Sequence, residues 1–242
     1  MAWASVPLDT RLEFQKWYGA NSAGDPKHPE LWVRGANLLI PRLSAIARRT
    51  HQKHTGLRRC PWHEFNGTGT AELKRLFDAY GSDKGTDTHS LHHAYAHIIE
   101  QLGGPFSRLR VLEVGLGSRN QKVVSAMARD AKPPGGSLRC FRDFLPNAMV
   151  FGADVDDGAL FNESRIQTAQ ADQLERASLD ALYRTFGSQR FDLVIDDGLH
   201  APGANLNVLE FALQHLRPGG YVVIEDIKWC AALSRRIEHD LL

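Results

Sequence analysis

The chain has 242 residues, of which 43% are hydrophobic and 24% are charged, and its formal net charge at pH 7 is +1. This composition is typical of a soluble globular protein with one α/β domain, with or without an appendage. The small net charge gives no general argument for a nucleic-acid or membrane partner. No apolar run is long enough to span a bilayer, the start lacks a signal-peptide pattern, and three widely spaced cysteines form no disulfide framework. We therefore expect a cytoplasmic protein with free thiols.

Residues 1–68 predict a helical and basic extension. Apolar spacing indicates a short helix within the first 30 residues and a second helix over 31–49, which Pro41 is expected to kink or split. Residues 1–63 hold ten Lys and Arg against four Asp and Glu. This basic face is a candidate for contact with a phosphate or an acidic partner, although no recognised nucleic-acid motif supports that reading. Four side chains of the basic linker lack the spacing of a zinc site: His51, His54, Cys60 and His63.

The main domain is predicted over 69–242 and begins with two helices. The first is expected to end at Gly81 and the second at Gly103-Gly104, because glycine commonly follows the last turn of a helix. Histidines at every fourth position of the second helix share one face: His89, His93 and His97. That spacing is compatible with a metal site, but we favour a polar face beside a ligand cleft or in solvent.

The first core strand and its turn are predicted over 110–117. They carry an E-x-G-x-G pattern formed by Glu113, Gly115 and Gly117. Glycines at such a turn let the backbone approach a ligand closely ahead of a helix N-terminus. A dinucleotide-binding fingerprint would place a third glycine where this chain has Asn120, so NAD is disfavoured.

A helix over 120–129, a Pro-Pro-Gly-Gly-Ser loop and a short segment without assignment lead to a second strand over 148–156. Asp154 lies at or near the end of this strand, where an acid typically accepts hydrogen bonds from ribose hydroxyls. Asp156 is the second candidate for that role. Two further elements follow: a strand over 165–173 that ends at Asp172-Gln173, and a helix over 178–187.

Two apolar, β-branched runs near the end of the chain each lead into a pair of acids. FDLVIDD ends at Asp196 and Asp197, and YVVIED ends at Glu225 and Asp226. The segment between them has helical spacing, and a Pro-Gly-Gly sequence at 218–220 is expected to stop that helix. Strand, helix and strand predict two parallel neighbours, so all four acids should meet at one carboxyl edge, where ligands of open α/β sheets bind. From spacing alone, the acids are either metal ligands or helix caps.

Six segments, in order, carry a resemblance to a known family: YGSDKG (80–85), RVLEVGLG (110–117), GGSLRCFRDFLPNAMVFGADV (135–155), QADQ (170–173), FDLVIDDGLH (191–200) and GGYVVIED (219–226). Together they resemble the magnesium- and S-adenosylmethionine-dependent sugar O-methyltransferases of macrolide biosynthesis, of the mycinamicin/macrocin type. The group is also similar to cephalosporin hydroxylase-like proteins. E-x-G-x-G alone is generic to class I methyltransferases, whereas D-G-x-H together with the E-D pair is more specific.

The resemblance implies a doubly wound, mostly parallel Rossmann-like sheet, S-adenosylmethionine and Mg²⁺ as cofactors, and a small sugar-like or natural-product substrate. It implies His200 as the general base and three carboxylate ligands of Mg²⁺: Asp197, Glu225 and Asp226. It places the methionine end of the cofactor near Glu113, Gly115 and Gly117, the ribose near Asp154, and the adenine near Asp172 and Gln173. Tyr80, Ser82 and Lys84 would belong to a lid over the cofactor. We expect Asp196 to face the cofactor or to support the turn that follows its strand, rather than to bind the metal.

Those residue types suit transfer of a methyl group to a hydroxyl oxygen. A hard cation held by carboxylates can bind adjacent substrate oxygens, and a histidine can accept the proton. After strand five, the family normally adds a helix and an antiparallel strand pair, whereas this sequence stops at Leu242. A sheet that lacks its last two strands is therefore expected, with strand five as an edge. A truncated product, a partner chain or the N-terminal segment would each account for that edge.

Three functions follow from these observations. The first is a metal-dependent O-methyltransferase that acts on a sugar-like or vicinal-oxygen substrate. The second is a non-catalytic or partner-dependent protein with a methyltransferase fold, which the early stop favours. The third, an iron hydroxylase, is disfavoured because non-haem iron suits two histidines and one carboxylate, whereas three carboxylates suit Mg²⁺. Assembly into a homo-oligomer is a further open expectation.

Overall fold

The fold is that of a computed structural model. It describes residues 41, 42, 45, 65, 67–87, 89–120, 123 and 133–226. Most of the predicted N-terminal extension lies outside these residues, and so do almost all of the helix predicted over 120–129 and the segment after residue 226. The expectations for those regions stay predictions.

Five strands pair in parallel to form the central sheet: β1 (Arg110–Val114), β2 (Met149–Asp154), β3 (Ile166–Gln170), β4 (Phe191–Asp196) and β5 (Leu216–Ile224). Their order across the sheet is β3-β2-β1-β4-β5. Val111 of β1 pairs with Val150 of β2 on one side and with Leu193 of β4 on the other. The chain therefore moves from the centre to one edge, returns, and continues to the other edge. This order confirms the predicted doubly wound, Rossmann-like fold.

In the part of the chain that the structure describes, the helices that cover the sheet include α1 (Thr70–Tyr80), α2 (Leu91–Gln101), α3 (Gly136–Phe144), α4 (Arg176–Thr185) and α5 (Pro202–His215). Helix α1 ends at Gly81 as predicted. Gly81 has a φ of 74°, and its N–H donates to the carbonyl of Asp78, which closes the last turn. A short 3-10 turn, Asp83–Gly85, then connects α1 to α2. Within the described ranges, no helix has both the length and the apolar composition needed to span a bilayer.

The three central strands β1, β2 and β4 are buried on both faces, which is why they are nearly continuous apolar runs. On one face, Val111 and Leu193 pack with side chains of α1, α2 and α3. On the other face, Leu112 and Val194 pack with side chains of α4 and α5, including Phe211. Alternation along each strand therefore divides the core into two layers. The carboxyl ends of the strands remain accessible between the layers, at the edge where the functional residues were expected.

Helix α3 is not predicted by the sequence pattern. Its start is hidden behind a Pro-Pro-Gly-Gly sequence, and Gly135 adopts a left-handed φ of 74° immediately before the helix. Leu138, Phe141 and Phe144 repeat every three residues and are buried against the core. Phe141 packs edge-on against Phe77 of α1, with ring centroids 5.5 Å apart. Tertiary packing thus stabilises a helix that is too short to be evident from its own pattern.

The boundary between α5 and β5 also differs from the prediction. The helix ends at His215, and strand pairing resumes at Leu216, opposite Phe191. The Pro-Gly-Gly sequence at 218–220 therefore lies inside the bounds of β5 rather than between the two elements. The pairing register shifts there, so that Leu193 pairs with Tyr221. Because proline donates no backbone hydrogen bond, such an irregularity suits a strand at the edge of the described sheet.

Candidate functional site

A cavity of about 400 Å³ opens at the carboxyl edge of the sheet. The ends of β1, β2, β3 and β4 form its floor, and the segment after α1 forms one wall. Eleven of the fourteen predicted site residues line it: Tyr80, Ser82, Lys84, Gly115, Gly117, Asp154, Asp172, Gln173, Asp197, His200 and Asp226. The other three, Glu113, Asp196 and Glu225, are buried behind this surface. Parallel strand topology therefore gathers the predicted residues at one place.

Gly115 lets two turns approach each other at the floor of the cavity. It has a φ of 100°, and a Cβ atom at this position would lie 2.2 Å from the carbonyl oxygen of Asp197. The N–H of Asp197 donates to the carbonyl of Val114 at 2.9 Å, so the turn after β4 is fixed directly against β1. The glycine is therefore required for protein-to-protein contact in addition to any role near a ligand.

The two aspartates at the end of β2 have different contacts. Asp154 lines the cavity, and its carboxylate accepts from the N–H of Leu116 at 2.8 Å and from the N–H of Asp156 at 2.9 Å. Burial raises the pKa of Asp154, and these N–H donors oppose the rise. The carboxylate of Asp156 instead accepts from the hydroxyl of Ser118, and this bond lowers its pKa. Asp154 thus presents its carboxylate to the cavity, while Asp156 stabilises the turn after β1.

Gln173 and Asp196 form a hydrogen-bond network that holds the turn after β4. The Gln173 side-chain amide donates to Asp196 at 3.0 Å and accepts from the N–H of Leu199 at 2.7 Å. Asp196 also accepts from Asn205 of α5 at 2.8 Å. Burial raises the pKa of Asp196, whereas the two amide donors lower it. Through these contacts both side chains stabilise the turn after β4, which is one of the two roles expected of Asp196. Gln173 also lines the cavity.

The Lys84 side chain is buried, and its ammonium lies among three carboxylates. Its ammonium contacts Asp197, lies 2.9 Å from Glu225 Oε2 and lies 3.4 Å from Glu113 Oε1. Its side chain is only 1% exposed. Burial alone lowers the pKa of Lys84, but the carboxylates of Asp197, Glu225 and Glu113 raise it well above its usual value. An ammonium charge therefore lies inside the acid-rich edge of the cleft.

The two glutamates beside Lys84 have further donors. The Tyr95 hydroxyl of α2 donates to Glu225 Oε1, and the Ser137 hydroxyl of α3 donates to Glu113 Oε2. Burial raises the pKa of both glutamates, and the Lys84 ammonium opposes that rise. Each glutamate is thus held by one hydroxyl and one cation, so both acids are tied to helices on the same face of the sheet.

His200 lies at the mouth of this acidic region. Its Nε2 atom is 3.9 Å from Asp197 Oδ1 and 3.9 Å from Asp226 Oδ2. His200 and Asp226 both have a left-handed backbone, with φ of 54° and 49°. Such a conformation is uncommon for residues other than glycine and is concentrated at functional turns. The imidazole therefore lies between two carboxylates and also lines the cavity.

Comparison with known proteins identifies the domain. Residues 112–227 match a family model described as a methyltransferase domain. The matched segment is therefore a methyltransferase domain. The match covers all five strands of the sheet except the first two residues of β1, together with every predicted acid and His200.

The methyltransferase domain is similar to several named enzymes. Mycinamicin VI 2''-O-methyltransferase of Micromonospora griseorubida is 37% identical over 124 residues, which are 51% of this chain and 28% of that protein. 8-Demethyl-8-alpha-L-rhamnosyl tetracenomycin-C 2'-O-methyltransferase of Streptomyces olivaceus is 32% identical over 165 residues, which are 67% of this chain and 39% of that protein. The chain therefore spans well under half the length of these relatives.

A solved structure gives the same relationship in three dimensions. MycE methyltransferase from the mycinamycin biosynthetic pathway, in complex with Mg, SAH and mycinamycin VI, aligns with a TM-score of 0.54 and 32% sequence identity. The alignment covers 64% of this chain and 38% of MycE. The predicted resemblance to the mycinamicin/macrocin type is thereby confirmed.

The acids of the methyltransferase domain fit Mg²⁺ in their chemistry. Asp197, Glu225 and Asp226 offer carboxylate oxygens from the ends of two neighbouring strands, and hard cations prefer such ligands. Within the described ranges, no group of three His, Cys, Asp or Glu side chains already surrounds a single point as metal ligands would. The Lys84 ammonium lies between Asp197 and Glu225 instead. A cation is thus already held at this position, which shows that the two acids suit positive charge.

The lid residues and the histidine face of α2 have other contacts. The Tyr80 hydroxyl donates to Asp143 of α3, and Ser82 Oγ accepts from the N–H of Lys84 at 3.4 Å, which caps the 3-10 turn. His89 precedes α2, so only His93 and His97 lie on that helix, and none of the three histidines lines the cavity.

Tyr95 contacts the acidic region but was not among the predicted site residues. It lies on α2 and packs with Phe77 and Phe141. A tyrosine among the apolar residues of this helix could have indicated the contact, because a buried tyrosine hydroxyl needs a hydrogen-bond acceptor. Glu225 at the acidic edge is that acceptor.

Proposed function

We propose that the domain transfers a methyl group from S-adenosylmethionine to a hydroxyl oxygen of a sugar-like or vicinal-oxygen small molecule. The observation that carries this proposal is that Asp154, Asp197, His200 and Asp226 line one cavity at the carboxyl edge of the doubly wound sheet. Ligands of such sheets bind at this edge. The similarity to enzymes named as sugar O-methyltransferases supports the same reaction class.

The β1–β3 side of the cavity suits the cofactor. The glycine turn after β1 exposes backbone close to the cavity, and Asp154 presents a carboxylate with unused acceptor capacity to ribose hydroxyls. Asp172 lines the same side beyond β3. The sulfonium would then lie towards Lys84, Asp197 and His200, so that the reacting methyl group faces the acceptor. Holding both reactants in line is the main task of such a site.

The β4–β5 side suits proton removal from the acceptor. His200 Nε2, directed towards Asp197 and Asp226, accepts the hydroxyl proton as the oxygen attacks the methyl carbon, and the carbon–sulfur bond breaks with its electrons going to sulfur. A positioned general base of this kind typically contributes ~10²–10⁴-fold. Asp197, Glu225 and Asp226 would hold Mg²⁺. When bound, the ion would supply positive charge that favours loss of a proton from a hydroxyl.

The composition of the cavity lining favours methyl transfer over iron hydroxylation. Among the described residues that line the cavity, His200 is the single histidine, whereas a facial iron site requires two. The non-catalytic alternative draws support from Lys84, because its ammonium neutralises the acids without a metal. That alternative predicts cofactor binding without methyl transfer.

The test is a binding and turnover experiment on the full chain. Titration calorimetry with S-adenosylmethionine should give saturable binding that Asp154→Ala abolishes and the exposed control Asp157→Ala preserves. With sugar-like acceptors and a labelled methyl donor, His200→Gln should lower turnover by ~10²–10⁴-fold without changing cofactor affinity. Absence of cofactor binding by a folded chain would contradict the proposal. Cofactor binding with no transfer to any vicinal diol or glycoside would favour the non-catalytic alternative.

A further inference from the structure

The cation position in the acidic edge of the cleft is occupied by a side chain of the protein. Lys84 contacts Asp197 and lies 2.9 Å from Glu225 and 3.4 Å from Glu113. A fully buried lysine needs compensating charge, and here three acids surround one ammonium. The acids in turn need a cation, because several like charges in a buried site repel each other.

Two of these acids are also the proposed ligands of Mg²⁺. On Glu225, Oε1 accepts from Tyr95 and Oε2 contacts Lys84, so both oxygens have partners. On Asp197, Oδ2 contacts Lys84 and Oδ1 faces His200. A divalent cation between Asp197 and Glu225 would have to replace the ammonium, since both cations use the same oxygens and repel each other at contact distance.

Lys84 is attached to an element that forms a wall of the cavity. It is the middle residue of the 3-10 turn Asp83–Gly85, which Ser82 Oγ caps. The Lys74 ammonium donates to the carbonyl of Gly85 at 2.7 Å, and a Cβ atom on Gly85 would lie 2.9 Å from Phe77 Cβ. The turn is therefore tightly seated on α1. Asp83 and Lys84 of the turn, together with its cap Ser82, line the cavity, so a displaced Lys84 side chain would change that wall.

We propose that Lys84 is an exchangeable internal cation: its ammonium and a divalent metal ion bind alternately between Asp197 and Glu225, and the exchange couples metal binding to the cavity wall formed by the turn Asp83–Gly85. This inference rests on the proposed function for the identity of the metal ligands. It adds a role for Lys84 as a positioning residue that sets the affinity of the metal site. Metal binding then requires Lys84 to leave the acids, which frees its charge to face the cofactor side of the cavity.

The experiment compares Mg²⁺ binding by the full wild-type chain and Lys84→Met, without cofactor or acceptor. Calorimetry should show at least ten-fold tighter Mg²⁺ binding by Lys84→Met, because the competing ammonium is gone. The thermal midpoint of Lys84→Met should be several degrees below wild type without Mg²⁺ and should recover in millimolar Mg²⁺. The control Lys74→Met removes a lysine that touches the same turn but contacts Asp78 and the Gly85 carbonyl instead. It should bind Mg²⁺ with wild-type affinity.

Three results would overturn the proposal: equal Mg²⁺ affinity of Lys84→Met and wild type, weaker binding by Lys84→Met, or no Mg²⁺ binding by either protein. Weaker binding would mean that Lys84 supports the metal site instead of competing for it. Because no cofactor or acceptor is present, these results are independent of whether methyl transfer occurs.

Two further measurements keep the test decisive if Lys84→Met does not fold. The double variant Lys84→Met/Glu113→Gln removes one charge of each sign and keeps an acceptor for Ser137, and it should show the same tighter binding. In wild type, saturating Mg²⁺ should speed hydrogen exchange at the amides of residues 82–86. Bound Mg²⁺ that leaves this exchange unchanged would contradict the coupling.

Discussion

On the β2–β3 side of the cleft, the site is held by hydrogen bonds from backbone and amide groups, whereas on the β4–β5 side it is held by compensation of charge. Asp154 accepts from two backbone N–H groups, and Gln173 links Asp196 to Leu199. Across the cleft, Asp197, Glu225 and Glu113 surround one ammonium. On the first side, hydrogen bonds within the protein hold these side chains without an added ion. The second side brings three carboxylates around one ammonium, so we expect it to rearrange when another cation binds.

The largest expected effect comes from the junction between the two sides. In Gly115→Ala, the new Cβ would lie 2.2 Å from the Asp197 carbonyl oxygen at a φ of 100°. Overpacking and backbone strain each cost ~1–3 kcal/mol, so we expect a loss of about 4 kcal/mol in the free energy of unfolding. Denaturant unfolding would measure it. Gly104→Ala separates the two causes, because Gly104 has a φ of 87° but nothing within 4 Å. It should cost only ~1–2 kcal/mol, and equal losses in both variants would exclude the close contact as the reason.

The hydrogen-bonded side should be broken by Gln173→Ala. This change removes the bonds to Asp196 and to the Leu199 N–H and leaves buried polar groups without partners. We expect a loss of about 2–3 kcal/mol in unfolding free energy, together with weaker cofactor binding. The matched control is Gln170→Ala, since the Gln170 amide makes an exposed bond to the Val155 carbonyl. A loss of more than ~0.5 kcal/mol in this control would argue against the special role of Gln173.

The charge-compensated side is tested by Tyr95→Phe, which removes only the hydroxyl that donates to Glu225. We expect a loss of about 1–2 kcal/mol, because a buried carboxylate oxygen loses its donor. The loss should shrink when Mg²⁺ is bound, since the ion would stabilise Glu225 in another way. Chemical denaturation with and without Mg²⁺ would measure this. Tyr183→Phe, on the α4 face of the sheet, is the control. If the loss in unfolding free energy is the same with and without Mg²⁺, Glu225 is not a ligand of the metal.

The smallest effect is expected at an exposed charge cluster beside α3, where Arg142 contacts Asp143 and Glu163. The Arg142 guanidinium and the Tyr80 hydroxyl hold the pKa of Asp143 below its ordinary value of 3.8. A lowered carboxyl pKa contributes stability above the ordinary pKa and loses it as the pH falls through the lowered value. Arg142→Met should therefore cost about 0.5–1 kcal/mol at pH 6. The difference from wild type should vanish as the pH falls below 3.8. Unfolding curves across this range would test it, and a difference that grows in acid would refute it.

Much of the fold was predictable because its signals are local. β1, β4 and the second half of β5 are apolar runs bounded by glycine or by acids, so their positions follow from sequence alone. Helix α3 was not predictable in the same way, because it has only nine residues, follows a Pro-Gly-Gly sequence and is stabilised by packing on α1. Elements with a clear local pattern could therefore be predicted from the sequence, whereas the short helix α3 could not.

The site shows the same division. The strand pattern by itself predicted that the acids after β4 and β5 meet at one carboxyl edge, because parallel strands bring their carboxyl ends together. Of these acids, Asp197 and Asp226 line the cavity, whereas Asp196 and Glu225 are buried behind its surface. Only the tertiary structure decided what each residue contacts. Gln173 and Asp196 are linked by a side-chain bond, and Lys84 meets an acid 113 positions away in the chain. Such contacts depend on burial and on the approach of distant turns, which a local pattern does not encode.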